Sequence, residues 1–332
     1  MKRNDFIDFI KGMCMIFVII THSSFTIQQR RNYLFPFWID MAVPILMIVS
    51  GYVCSLSIKS KNSYCSLEII TPSYIIKRSL RLTIPFSIAF MVEWIMLQRN
   101  NKFGLMHLAK IFLQGGVGMG SYYYPIMMQF IFVFPLIFCI VKKWKEKGII
   151  ACFVINLIYE LLQSSYDMNQ ECYRLLLFRY IFLISFGCFL ALYEDNNKRW
   201  YILSIIVGIA FQYITQYTQY EPKIIKYWTG TSCVSALYII PIFAYLFRNV
   251  DSDFCIRPIN EIGKASFNVF LVQMVYYQTG ANIIYSLIEN WMIRVICNIT
   301  ICTILGYIFY MIEQPITKAL TKKCLELAKT RY

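Results

Sequence analysis

Residues Asp8–Phe25 read DFIKGMCMIFVIITHSSF. The run is long and apolar enough to cross the hydrocarbon core of a bilayer as a helix. It nevertheless carries Asp8, Lys11 and His22, each costly in that setting. Lys11 and His22 are eleven residues apart, close to three full turns, so a helix puts them on nearly one face, ~16 Å apart along its axis. Asp8 stands one turn before Lys11, within pairing reach. Taken alone, Asp8 and Lys11 read as a charge pair at the membrane edge with Lys11 snorkelling, and His22 as a packing hydrogen bond.

The rest of the chain follows the pattern of this first run. Of 332 residues, 58% are hydrophobic and 15% charged, too little charge for the surface of a soluble domain. Ten apolar stretches are expected to span: 7–26, 37–58, 78–98, 122–141, 148–164, 174–193, 200–217, 231–248, 266–287 and 292–312. The expected fold is an all-α polytopic membrane protein, about ten transmembrane helices in one bundle, forming a single domain over residues 1–332. Leu105–Leu113 reads as a short interfacial helix. Glu160 and Arg179 interrupt the fifth and sixth spans. The first run lacks a small-residue cleavage site and is expected to stay in the membrane.

With the N-terminus in the cytoplasm, 22 of the 32 Lys and Arg fall on the inner side and 9 on the outer, Arg179 lying within a span. The positive-inside rule then predicts both termini cytoplasmic. It also accounts for the net charge of +14 without nucleic acid. The twelve cysteines mostly lie inside apolar runs, with no CxxC, and read as small packing residues rather than disulfides or metal ligands. GGVGMG at Gly115–Gly120 lacks the Lys-Ser/Thr of a phosphate loop and reads as a mobile loop on the outer side.

A basic residue, ten residues, then histidine, with an aspartate three before the basic one, is the pattern of Asp8, Lys11 and His22. With Ser50-Gly51, Arg78-x-x-Arg81 followed by Leu82 and Pro85, Gly263-x-x-Ser266-Phe267 followed by Phe270-Leu271, and Glu313-x-Pro315, the chain resembles the acyltransferase 3 family of membrane proteins. The matches run in order from residue 8 to residue 315. Two departures stand out. Gln273 replaces a histidine common in the family, and Tyr122-Tyr123-Tyr124 stands where the family often has tryptophan, at a position an interfacial aromatic belt would also explain.

The resemblance implies transfer of an acyl group, usually acetyl, from cytoplasmic acyl-CoA to a hydroxyl of a glycan or lipid-linked sugar. The setting implied is a bacterial cytoplasmic membrane. No permanently bound cofactor and no metal is expected; acetyl-CoA is the donor substrate. His22 is the candidate general base, since a neutral imidazole suits proton removal near neutral pH, with Lys11 and Asp8 as candidate catalytic residues on nearly the same helix face, three to four turns away. Arg78, Arg81 and Lys11 are the candidates for the CoA phosphates, which guanidinium groups bind in bidentate fashion. Ser50, Tyr124, Arg179, Ser266, Gln273 and Glu313 are candidate supporting residues, and Pro315 is expected to stop the last helix. Membrane lipids are the other expected partners, and the oligomeric state is left open. A flippase-like polysaccharide or lipid transporter, or a non-catalytic scaffold relative, is the alternative; neither would consume acyl-CoA.

Overall fold

The computed structural model describes residues 4–59, 70–98, 104–166, 168–193, 198–218, 220, 222 and 225–329. Lys2, Arg3, Lys61, Arg99, Lys102, Lys223 and Arg331 of the charge distribution lie outside them. Among the described residues there are fifteen α-helices and no strand. In chain order these are α1 (Asp5–His22), α2 (Ile27–Asn32), α3 (Ala42–Lys59), α4 (Pro72–Gln98), α5 (Leu105–Leu113), α6 (Tyr123–Trp144), α7 (Glu146–Ser165) and α8 (Gln170–Leu175). They continue with α9 (Ile181–Leu192), α10 (Lys198–Tyr217), α11 (Ile239–Asn249), α12 (Arg257–Lys264), α13 (Ser266–Thr279), α14 (Ala281–Leu287) and α15 (Trp291–Lys329). The all-α membrane fold expected from the sequence is the one observed.

Six stretches among the described residues are long and apolar enough to cross a membrane: Phe35–Lys59, Pro72–Leu97, Tyr123–Trp144, Glu146–Ser165, Thr229–Asn249 and Trp291–Leu327. The other four expected spans are also helical, but each is diluted or broken. α1 contains Asp5, Asp8 and Lys11. The expected span 174–193 becomes a 3-10 turn at Leu177–Tyr180 followed by α9. α10 carries Gln212, Thr215 and Gln216 in its second half. The span 266–287 divides at Gly280 into α13 and α14. Length and composition therefore single out six spans where ten were expected. The last helix differs in the opposite sense. α15 runs through Pro315 to Lys329. Proline forfeits one backbone hydrogen bond and can kink a helix without ending it.

Packing groups the chain into two compact units. The first comprises Met1–Ile10, Phe25–Ile69 and Val133–Cys255. Its centre is α9, buried along nearly its whole length against α3 and α7. Glycines set the approach of α3 and α9. A β-carbon on Gly51 would strike the Ile184 carbonyl oxygen, and one on Gly187 the Ile48 carbonyl oxygen. Close backbone approach through small residues is a usual way for helices to associate in lipid.

The second unit comprises Lys11–Ser24, Ile70–Phe132 and Ile256–Tyr332. Here α13 packs against α15 and α4, which also touch each other. Gly306 of α15 lies directly on Val269 of α13, and Gly12 of α1 on the Ile259 carbonyl of α12. α12 is a short helix started by Pro258 near its first position, where a missing N–H costs nothing.

Candidate functional site

α1 runs unbroken from Asp5 and ends at His22, four residues earlier than expected. Ser23 turns the chain, its N–H reaching the carbonyls of Ile19 and Ile20 at 3.2 and 3.0 Å. The helix end is fastened to α13 and α15. The Tyr277 hydroxyl donates to the Ile19 carbonyl at 2.7 Å and lies 2.9 Å from Ser23 Oγ. Asn298 Nδ2 donates to Ser23 Oγ at 3.1 Å, and the Tyr276 hydroxyl donates to Asn298 Oδ1 at 2.7 Å. Ser23 Oγ also donates to the Ile19 carbonyl at 3.1 Å, so both hydroxyls converge on that carbonyl while Ser23 Oγ accepts from Asn298. The His22 ring, half-buried, lies edge-on to Tyr277 with centroids 6.0 Å apart.

α13 gathers several of the other candidates. Ser266 is its first residue. Two residues further in, Asn268 Nδ2 donates to Glu313 Oε2 at 3.1 Å, and Thr317 donates to the other Glu313 oxygen. Glu313 is thereby held between α13 and its own helix. Gln273 is fully buried, and its Nε2 donates to the Met119 carbonyl at 3.1 Å. Gln273 and Tyr277 are four apart and so share a face of α13.

Met119 belongs to the glycine-rich loop, which is braced rather than loose. Gly115, Gly116 and Gly120 hold positive φ values of 88°, 101° and 86°, a region glycine enters without steric cost. The fully buried Glu93 of α4 accepts from Val117 N–H at 3.2 Å and Gly118 N–H at 2.7 Å. The expectation of a mobile loop is corrected by these ties. Tyr124, just beyond, is likewise not an interfacial belt residue. It is buried, stacked on Phe86 with centroids 3.8 Å apart, and its hydroxyl lies 3.1 Å from Thr83 Oγ1.

Arg78 and Arg81 stand three apart on α4, Arg78 over the Tyr74 ring at 4.8 Å and Arg81 exposed. Lys11, half-buried, belongs to the same unit; Asp8 is buried in the preceding turn of α1. Ser50 and Arg179 lie in the first unit. Ser50 is next to the Gly51 contact on α3. Arg179 is buried in an aromatic box, its guanidinium 4.1 Å from the Trp228 ring centroid, 4.7 Å from Tyr180 and 5.2 Å from Tyr173, while Nη2 donates to Thr231 Oγ1 at 3.1 Å. Glu160, fully buried, accepts from Cys233 N–H at 2.9 Å and from Asn156 Nδ2 at 3.1 Å, and is electrostatically coupled to Arg179. The two ionisable groups that interrupt the fifth and sixth expected spans thus answer each other inside one unit. The first unit also holds an open cleft of about 450 Å³ at the ends of α7 and α10, lined by Ser164, Thr215, Gln216 and Lys226 among others. None of the residues singled out in the sequence lines it.

Glu93, Tyr277, Ser23 and Asn298 escaped the sequence reading. Glu93 had a usable signal, since a lone acid in an apolar helix marks a functional position by default. Tyr277 and Asn298 had only helical spacing to offer. Among the described residues no three His, Cys, Asp or Glu side chains are placed to hold a metal ion.

The acyltransferase 3 family model, described as an acyltransferase domain, matches residues 4–311. No curated protein and no solved structure matches the chain.

Proposed function

Because the chain belongs to the acyltransferase 3 family and is a helical membrane acyltransferase, we propose that it moves an acetyl group from acetyl-CoA to a hydroxyl of a cell-envelope or exopolysaccharide sugar. The observation that carries this reading is the fixed geometry around His22. The imidazole stands at the end of α1, set against Tyr277 and anchored through Ser23 and Asn298.

In the reaction His22 takes the proton of the acceptor hydroxyl as the oxygen attacks the thioester carbonyl carbon. A carbon–oxygen bond forms, the carbon–sulfur bond breaks, and the CoA sulfur leaves with the electron pair. The imidazolium returns its proton to that sulfur, giving CoA thiol and neutral histidine. The negative pole at the C-terminal end of α1 favours the transient imidazolium. Arg78 and Arg81, joined by Lys11, hold the CoA phosphates. The charge distribution of the loops supports both termini inside, and the family a bacterial cytoplasmic membrane, which puts these cations on the donor's side.

The test uses purified protein with labelled acetyl-CoA, and cells in which surface-glycan O-acetylation is measured. Wild type should consume acetyl-CoA and acetylate glycan; His22→Ala, present at equal membrane level, should do neither. Acetylation that survives in the variant would remove His22 from the chemistry. A wild type that never consumes acetyl-CoA would favour a transporter or a scaffold.

A further inference from the structure

Three buried polar groups of the second unit are not used by the steps above, and all three face one loop. Glu93 spends Oε1 on the Val117 and Gly118 N–H groups, while its buried Oε2 has no partner. Gln273 spends Nε2 on the Met119 carbonyl, while Oε1, also buried, has none. Ser121, at the end of the same loop, is 1% exposed, and its Oγ has no partner. Each such atom carries the full desolvation penalty of an unmade hydrogen bond. Buried groups of this kind normally find a partner, so three around one seven-residue loop call for a common explanation.

The glycines place these atoms. A β-carbon on Gly116 would stand 2.6 Å from Glu93 Oε2, and one on Gly120 3.6 Å from Gln273 Nε2. Glycine at both positions lets the loop backbone approach Glu93 and the Phe270–Gln273 stretch of α13 closely. The chemistry of the open positions is one-sided. A carboxyl oxygen and an amide oxygen accept, and the serine hydroxyl does either. A ligand must therefore present several hydrogen-bond donors, and an anionic one would be repelled by Glu93. Neutral sugar hydroxyls fit this pattern. The position fits as well, because Gln273 is one turn, ~6 Å along α13, from Tyr277, whose ring lies edge-on to the His22 imidazole.

Resting on the acyltransferase reading above, we propose that Glu93, Gln273 and Ser121 bind the non-reacting hydroxyls of the acceptor sugar at the Gly115–Ser121 loop. They form a neutral-saccharide subsite beside the imidazole. They bind and orient the acceptor and take no part in the proton transfer.

Glu93→Gln is the sharpest variant. It keeps one oxygen for Val117 and Gly118 and turns the open acceptor into a donor. Gln273→Ala and Ser121→Ala are the companions. Full-length protein in detergent is tested with methyl glucoside and methyl galactoside as probes, by two readouts. The first is thermal stabilisation by the glycosides without acetyl-CoA. The second is turnover, separating the KM for glycoside from the KM for acetyl-CoA and from the slow hydrolysis of acetyl-CoA by water. Stabilisation of wild type that is lost in Glu93→Gln, with glycoside KM raised about tenfold or more and a much smaller change in the KM for acetyl-CoA, is the expected result. Absence of stabilisation in wild type, or equal stabilisation in all three variants, overturns the subsite and leaves Glu93 as a brace for the loop. Failure of wild type to consume acetyl-CoA overturns the transferase reading instead, and the glycoside shift then judges the subsite by itself.

Discussion

Tyr277 meets His22 edge-on, ring centroids 6.0 Å apart, while its hydroxyl donates to the Ile19 carbonyl one turn back along α1. One residue of α13 thus touches both the imidazole and the backbone that carries it. Tyr277→Phe keeps the ring and removes the tie to Ile19 and Ser23. The expected outcome is a kcat lowered about tenfold with the acetyl-CoA KM nearly unchanged, against the ~100-fold to 10,000-fold loss expected when the general base is removed by His22→Ala. Steady-state kinetics on purified protein checks it. Wild-type kcat in Tyr277→Phe would show that the hydroxyl holds the helix but does not aim the ring.

The glycine contacts of α3 and α9 predict a packing defect. Gly51→Leu and Gly187→Leu each drive a side chain into the opposite backbone, a clash that rotamer changes cannot relieve. Overpacking of this kind costs about 1–3 kcal/mol and more where backbone is struck. Lower membrane yield and a lower melting temperature in detergent are expected for both. Gly104→Leu, with nothing within 4 Å of its added β-carbon, is the matched control and should melt with wild type.

Glu160 and Arg179 predict an asymmetry. Glu160 feels the Arg179 charge from within the same unit, so removing the guanidinium takes away both its ring and Thr231 contacts and the charge that offsets a buried carboxyl. Arg179→Met should therefore destabilise the protein strongly. Adding Glu160→Gln to it should recover part of the loss, because the carboxylate charge is gone while Gln still accepts from Cys233. Melting temperatures of the two single variants and the double variant form the test. A double variant no more stable than Arg179→Met would mean that the aromatic box, rather than the charge, is what Arg179 supplies.

The same contrasts explain which features were legible in the sequence. Membrane helices announce themselves through composition, because lipid demands apolar side chains over a fixed length. Their ends do not, because ends are set by contacts. α1 stops at His22 where Ser23 turns back to Ile19. The expected 266–287 span divides at Gly280, and Pro315 fails to stop a helix that continues to Lys329. The site follows the same division. His22, Lys11 and the α4 arginines stand at telling spacings within one segment. Glu93 takes its meaning from loop N–H groups twenty-four and twenty-five residues away, and Asn298 from a serine 275 residues away. A single sequence has no periodicity that couples such distances.

Arg78 and Arg81 predict how the donor is held. Both project from one flank of α4, Arg78 packed on Tyr74 and Arg81 exposed, so Arg81 is the guanidinium open to an incoming phosphate. Reversing its charge replaces an attraction with a repulsion. Arg81→Glu should raise the acetyl-CoA KM about tenfold or more, with kcat at saturating donor largely retained. Because the group is exposed, the penalty should shrink as ionic strength rises and the Debye length falls below about 8 Å. Arg78→Ala should act less steeply with salt, since it also removes a ring contact that salt does not screen. Donor KM measured at two salt concentrations separates the two. An unchanged KM in Arg81→Glu, at normal membrane level, would assign the arginine to membrane orientation alone.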